Sequence, residues 1–232
     1  MIKKNGYTIV EISIVVIALS IFLSIFVNVN LKKDSNSIKK VISSVGKYTN
    51  ATNEFKRKYG FLPGDIKKTQ IFELSETNTD GNENNLIEDL NQKNGINSKN
   101  IKLDGEVANF WLHLFKSGFV DENERVFPYL DYLKTGILIF SSNGDNYFHL
   151  AVNGVNKNKE IETIENLTPY QAYQIDYKLD DGFPTTGDLL VFSNHFINNS
   201  VKQIPNKKCF LQNEYLTSNK QKTCQIILRI DI

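Results

Sequence analysis

The chain has few of the residues around which many enzymes and metalloproteins are built. Its 232 residues include two cysteines, three histidines, one tryptophan and one methionine. The histidines, His113, His149 and His195, are far apart in sequence, so no local metal-binding pair forms. Cys209 and Cys224 have no second Cys or His pair to complete a zinc site. There is no Gly-x-Ser-x-Gly, His-Glu-x-x-His or phosphate-cradling glycine loop. Asp180 and Asp181 are adjacent, and in a turn their carboxylates are expected to diverge into solvent. The formal net charge of +1 excludes the basic footprint of a nucleic-acid binder. The expectation is a protein with no reaction of its own.

What the chain does have is an apolar run without proline or glycine, Tyr7 to Val27. Its roughly 21 residues span about 32 Å as a helix, enough to cross a bilayer core. Lys3 and Lys4 precede it, which places Met1 on the cytoplasmic side and the bulk of the chain outside. The residues after it, Asn28-Val29-Asn30-Leu31-Lys32-Lys33-Asp34, contain no small-residue cleavage site, so the segment should stay on the protein. One charge interrupts it, Glu11. A carboxylate in hydrocarbon costs about 2.5 kcal/mol or more and usually marks a function with a partner.

The residues Gly6-Tyr7-Thr8-Ile9-Val10-Glu11, behind Lys3 and Lys4, resemble the signal of type IV pilins and type II secretion pseudopilins. In that family a short basic leader ends in glycine, an apolar helix follows, and a glutamate stands fifth after the cut. The resemblance implies scission between Gly6 and Tyr7, N-methylation of Tyr7, and Glu11 as the acid that guides assembly. It further implies an inner-membrane protein with one span and a periplasmic head, processed by prepilin peptidase. Its partners would be an inner-membrane assembly platform, membrane lipid and other pilin or pseudopilin subunits. Many major pilins carry a helix-distorting proline in the run; this chain does not. Three further phrases, Leu62-Pro63-Gly64-Asp65, Asn109-Phe110-Trp111-Leu112-His113-Leu114 and Ile175 to Gly182, resemble segments of larger prepilin-like proteins.

Beyond the run, Ile38, Val41, Ile42, Val45, Tyr48, Phe55 and Tyr59 recur at helical spacing. Lys56, Arg57 and Lys58 suit a helix C-terminus, and Gly60 and Pro63 stop it. The expected domains are a leader (1–6), a membrane half of one long helix (7–31), an amphipathic half packed on a sheet (32–60) and a head (61–232).

Within the head, Ser75 to Asn100 reads as a long polar surface loop. Its turn at Asp80-Gly81-Asn82-Glu83-Asn84 makes Asp80, Asn82 and Asn84 candidate calcium ligands. Counted from Glu76, the twelfth position is Ile87 rather than an acid, so the loop reads first as a solvated turn and second as a calcium site. A helix is expected around Val107 to Phe115, ended by Gly118. Ile137–Phe140 and Tyr147–Val152 read as a hairpin around a longer loop carrying Asn143-Gly144. Thr168-Pro169-Tyr170-Gln171 is a capping box opening a short helix to about Leu179. Strands follow at Leu189–Phe192 and Gln225–Ile230. Outside the cytoplasm Cys209 and Cys224 would form a disulfide closing about 15 residues, worth about 3 kcal/mol.

The fold expected is α+β, a long N-terminal helix with an antiparallel sheet in the head. The function expected is a structural fibre subunit, minor rather than major. The alternatives are an adhesive or calcium-binding tip module on the same stalk, or a membrane-anchored protein of another kind.

Overall fold

The computed structural model describes residues 9–67, 80–90, 101–192 and 207–231. Two units are distinguished, Met1–Lys40 and Val41–Ile232. The first holds the beginning of α1 (Ile9–Tyr59). Its large apolar side chains from Ile9 to Leu23 are exposed, none below 55%. The Ser13 and Ser20 hydroxyls donate back to the carbonyls of Ile9 and Val16, each at 2.8 Å. Such back-bonding removes free donors from the helix surface. Among the described residues no helix is long and apolar enough to cross a membrane. The run read in the sequence begins and ends, at Tyr7 and Val27, outside the described side chains.

The second unit is α+β. It contains the last turns of α1, α2 (Gly105–Lys116), a 3-10 turn (Glu122–Glu124), and α3 (Pro169–Leu179). Strands β1 (Tyr129–Leu130), β2 (Thr135–Ser142), β3 (Asp145–Val155), β4 (Ile161–Thr163), β5 (Leu189–Phe192) and β8 (Gln225–Ile230) form one sheet. Its order is β1-β2-β3-β8-β5, with β4 also on β3, and every pair is antiparallel. β2 is buried along its whole length, which suits its run Ile137-Leu138-Ile139-Phe140. A separate hairpin joins β6 (Phe210–Leu211) to β7 (Glu214–Tyr215).

In α1, Val41, Val45, Tyr48 and Phe55 are buried, as the helical spacing requires. The expectation that this stripe lies on the sheet is corrected. Its rings meet α2 and the segment after it: Tyr48 stands edge-on to Trp111 at 5.1 Å, and Phe55 faces His113 and Phe119. α2 in turn rests on β3, where Phe110 and Trp111 both contact Phe148. The paired apolar faces of α2 make it the layer that the sequence periodicity could not assign to a neighbour.

The hairpin is tighter than expected. β2 runs to Ser142 and β3 starts at Asp145, which leaves only Asn143 and Gly144, at φ 54° and 91°. Two positive φ values in a two-residue connection suit the twist of antiparallel strands, and Asn-Gly is the pair that adopts them most readily. The capping box of α3 is formed: Gln171 N donates to Thr168 Oγ1 at 3.2 Å, and Thr168 N to Gln171 Oε1 at 3.1 Å. Cys209 and Cys224 are disulfide-bonded, with Cα atoms 5.3 Å apart, and both are buried.

Candidate functional site

Gly6 and Tyr7 lie outside the described residues, as does His195. Glu11 stands exposed near the beginning of the described part of α1. With Ile12, Ile14, Val15 and Val16 it lines a shallow, mainly apolar concavity. Among the described residues that line it, Glu11 is the only polar one.

The head holds a second and more elaborate site. α1 ends at Tyr59, and the turn that follows carries Gly64 and Asp65. Gly64 has φ +90°, and a Cβ there would lie 2.5 Å from the Glu106 carbonyl oxygen, so only glycine lets this turn approach α2 so closely. Asp65 is 1% exposed and acts as an anchor for residues 80–90. Its Oδ1 accepts the amides of Asn82, Glu83 and Asn84, and its Oδ2 accepts that of Asn85 at 2.7 Å. From α2, Glu106 accepts Asn82 N on Oε1 at 2.9 Å and Glu88 N on Oε2 at 3.0 Å. Glu88 Oε2 accepts the side-chain amides of Asn82 (3.1 Å) and Asn84 (3.0 Å).

The loop is also fastened to the sheet. Ile87 N donates to Asn146 Oδ1 at 2.9 Å, and Ser141 N donates to the Ile87 carbonyl at 2.8 Å. The expectation of a solvated loop holds for Asp80, Asn82, Asn85 and Leu90, which are exposed, and is corrected for Ile87 to Asp89. Ile87, Glu88 and Asp89 are buried. Asp80, Asn82, Glu88, Asp89, Leu90, Gly105 and Glu106 line a cavity of about 170 Å³.

Asp65, Glu88, Asp89 and Glu106 are each 5% exposed or less. Burial penalises the charged forms of Asp65 and Glu106. It pushes Glu106 up to about 8, with the Asp65 charge adding to the rise. Asp65 is also raised by burial, although its backbone amide donors and a hydrogen bond with Glu106 oppose the rise. Asp65 has more N–H donors than Glu106, so the proton of this pair belongs on Glu106.

The sequence singled out Asp80, Asn82 and Asn84, and the fold brings their segment over Asp65, Glu88 and Glu106. Those last three were missed. Counting from Asp80 rather than Glu76 supplies a signal for part of the set. Asn82 is then third, Asn84 fifth, Leu86 seventh and Glu88 ninth in an EF-hand-like order, and Asn85, sixth, takes φ +63° where such loops use glycine. A complete EF-hand would place its bidentate Glu at position twelve, here Asn91, which lies outside the described residues. Glu106, from α2, supplies a carboxylate from elsewhere in the chain.

Asp180 and Asp181 do not diverge as expected. With Asp176 they place carboxylate oxygens within 4.8 Å of one another. Backbone geometry accounts for this: Asp180 accepts Leu189 N at 2.8 Å, Asp181 accepts Phe183 N at 2.8 Å, and Asp176 accepts Gly182 N at 3.0 Å. These acids staple the turn between α3 and β5. His113 and His149 are both buried. No family model, curated protein or solved structure matches the chain.

Proposed function

We propose that the chain is a structural subunit, of the minor kind, of a type IV pilus or a type II secretion pseudopilus. In this reading its precursor is cut after Gly6 by prepilin peptidase and N-methylated at Tyr7. The observation that carries the reading is the start of α1, where large apolar side chains from Ile9 to Leu23 stand exposed around one acid, Glu11. Contiguous apolar surface on this scale needs a cover that water does not provide. Lipid covers it before assembly and neighbouring subunits cover it afterwards. Cleavage creates a cationic amine on Tyr7, and Glu11 of an incoming subunit neutralises the amine of its neighbour. In a medium of low dielectric an unpaired charge is heavily penalised, so the pair sets axial register. The test is the N-terminus of the protein purified from its host. A chain beginning at methylated Tyr7 is expected; one still beginning at Met1 overturns the reading.

A second reading, compatible with the first, is favoured by the buried acids of residues 80–90. We propose that the head binds a divalent cation, calcium by its oxygen-rich donor set. Asp80, Asn82, Asn84 and Glu88 would hold it, with Glu106 completing the set from α2. A cation is what makes several buried carboxylates stable together in the ionised state. Calorimetry on the full-length chain in detergent should show heat on adding calcium and a raised melting temperature. Neither signal with calcium sinks this reading and leaves the fibre reading intact.

A further inference from the structure

α3 and the disulfide hairpin lie side by side, and their charges are sorted to opposite ends. Thr223 N donates to the Leu167 carbonyl at 2.9 Å, one residue before Thr168, the N-cap of α3. The Lys208 carbonyl accepts from Asn219 Nδ2 at 2.8 Å and from Thr223 Oγ1 at 3.1 Å, and Cys209 is tied to Cys224. Lys207, Lys208, Lys220 and Lys222, all exposed, are thereby gathered beside the start of α3. The other end of α3 is acidic. Asp176, Asp180 and Asp181 converge there. The hairpin adds exposed Glu214, next to the Tyr215 that bonds Asp176 at 2.5 Å. Thr185 N donates to Asn213 Oδ1 at 3.2 Å and holds the hairpin tip at this end.

Both placements oppose the helix dipole, which favours anions at an N-terminus and cations at a C-terminus. Lys178 is the one charge within α3 that suits it. Like charges crowded around one disulfide also repel each other. Between the ends runs an aromatic stripe. Tyr170, Tyr173 and Tyr177 recur at helical spacing on one side of α3, with the rings of Tyr173 and Tyr177 5.8 Å apart. Tyr177 is 64% exposed, and Phe183 just beyond it 48%.

We propose that this face pairs with the same face of a second copy of the chain, the two α3 helices antiparallel, so that the lysines of each head meet the acids and exposed rings of the other. Charge complementarity selects the occupant. One chain carries a cluster of cations and, about 16 Å away along the same helix, the carboxylates and aromatic faces that receive cations. Turned about a two-fold axis the surface is its own complement, so one closed contact satisfies both ends. The tyrosine stripes are covered in the same step. The pairing needs neither the fibre reading nor the cation reading.

Sedimentation velocity on the full-length chain in detergent should find two chains per particle at low salt. The dissociation constant should rise as salt screens the charges. Asp181→Lys with Glu214→Lys reverses one end, and Lys220→Glu with Lys222→Glu reverses the other. All four side chains are exposed, and the melting temperature of each variant checks that the head stays folded. Either reversal alone sets like charges against each other and should weaken pairing by about tenfold or more. An equimolar mixture of the two variants should recover the wild-type affinity, because reversed ends then meet each other and native ends meet each other. A wild type with one chain per particle at every salt concentration overturns the proposal. So do variants that pair as well as the wild type, or a mixture that recovers nothing. Particles that keep growing with concentration overturn the two-fold arrangement. Should a variant fail to fold, carbodiimide coupling of wild-type chains, mixed from ¹⁴N- and ¹⁵N-labelled batches, decides. Amide links from Lys220 or Lys222 of one isotope to Asp181 or Glu214 of the other are expected; links absent or confined to one isotope overturn the pairing.

Discussion

Asp65 and Glu106 accept the same backbone N–H, that of Asn82, at 3.2 and 2.9 Å. One acid comes from the turn after α1 and the other from the first turn of α2, so a single amide records where the loop, the turn and the helix meet. Because Glu106 is held protonated up to about pH 8, its ionisation opposes folding. Its folded pKa lies above its unfolded value, so the native state binds the extra proton and stability falls as pH rises between roughly 4.5 and 8. His113 and His149, both lowered to about 4, act with the opposite sign, but only below about pH 6.5. Asp176, raised to about 6, shares the sign of Glu106 but has finished titrating near there. Between pH 6.5 and 8 the metal-free head should therefore lose stability, at most about 2 kcal/mol from Glu106. Thermal melts in chelator across that window check this. Glu106→Gln should flatten the slope, and so should saturating calcium if the cation reading holds.

Removing the anchor of the loop has a different signature. Asp65→Asn places a donor where the Asn85 amide needs an acceptor and withdraws the charge from three more amides. Hydrogen bonds to charged groups contribute about 1.5–3 kcal/mol each, and they share one carboxylate here, so a loss on the order of 3 kcal/mol is expected. Amide hydrogen exchange should localise the loosening to residues 80–90, whose hydrogen-bonded amides should exchange slowly in the wild type.

The seam between α1 and the 3-10 turn is polar. Glu124 accepts Tyr48 Oη at 2.6 Å and Lys47 Nζ at 2.7 Å. Burial raises the Glu124 pKa, but the bonds from Lys47 and Tyr48 outweigh it and the net shift is downward. Tyr48→Phe keeps the edge-on contact with Trp111 and deletes only the hydroxyl. A cost of about 1–2 kcal/mol in chemical denaturation, with near-ultraviolet dichroism unchanged, is expected.

Much of the head's secondary structure is legible in the sequence because its signals are local. β5 and β8 lie at Leu189–Phe192 and Gln225–Ile230, and Thr168 and Gln171 cap α3 as their spacing requires. The site was only half legible. Asp80, Asn82 and Asn84 declare themselves by alternation, but Asp65 and Glu106 reach them across separations of 17 to 24 residues that only tertiary topology closes. The same reason hid the role of α2. Its apolar faces could be read, but not that one would meet Tyr48 and Phe55 rather than leave the sheet to α1. Asp180 and Asp181 were misjudged because backbone amides of the turn, at Leu189 and Phe183, hold their carboxylates close together.

Reduction tests the C-terminal hairpin. The Cys209–Cys224 bond closes a separation of 15 residues around β6 and β7. Chain entropy assigns such a loop about 3 kcal/mol. The paired change Cys209→Ser with Cys224→Ser should lower stability by about that amount. Tyr215 bonds Asp176 at 2.5 Å from within the closed loop, so added disorder there should also release the buried Asp176 carboxyl, raised to about 6, towards its ordinary value. Carboxyl NMR titration of Asp176 reads that directly; an unchanged pKa would mean the hairpin stays docked without its covalent tie.

Glu11 provides the sharpest test of the fibre reading. If its carboxylate neutralises the Tyr7 amine of a neighbour, Glu11→Lys sets two cations against each other in a medium where each charge is costly. In the proposed reading cleavage after Gly6 comes before that pairing, so the variant should still be processed to Tyr7 and should remain in the membrane fraction. What it should lose is incorporation into sheared fibres, by an order of magnitude or more, measured by immunoblot against the membrane pool. Glu11→Gln removes the attraction without adding repulsion and should fall between the two. Wild-type incorporation of Glu11→Lys would mean that the acid does not set register, whatever else covers the exposed isoleucines and valines around it.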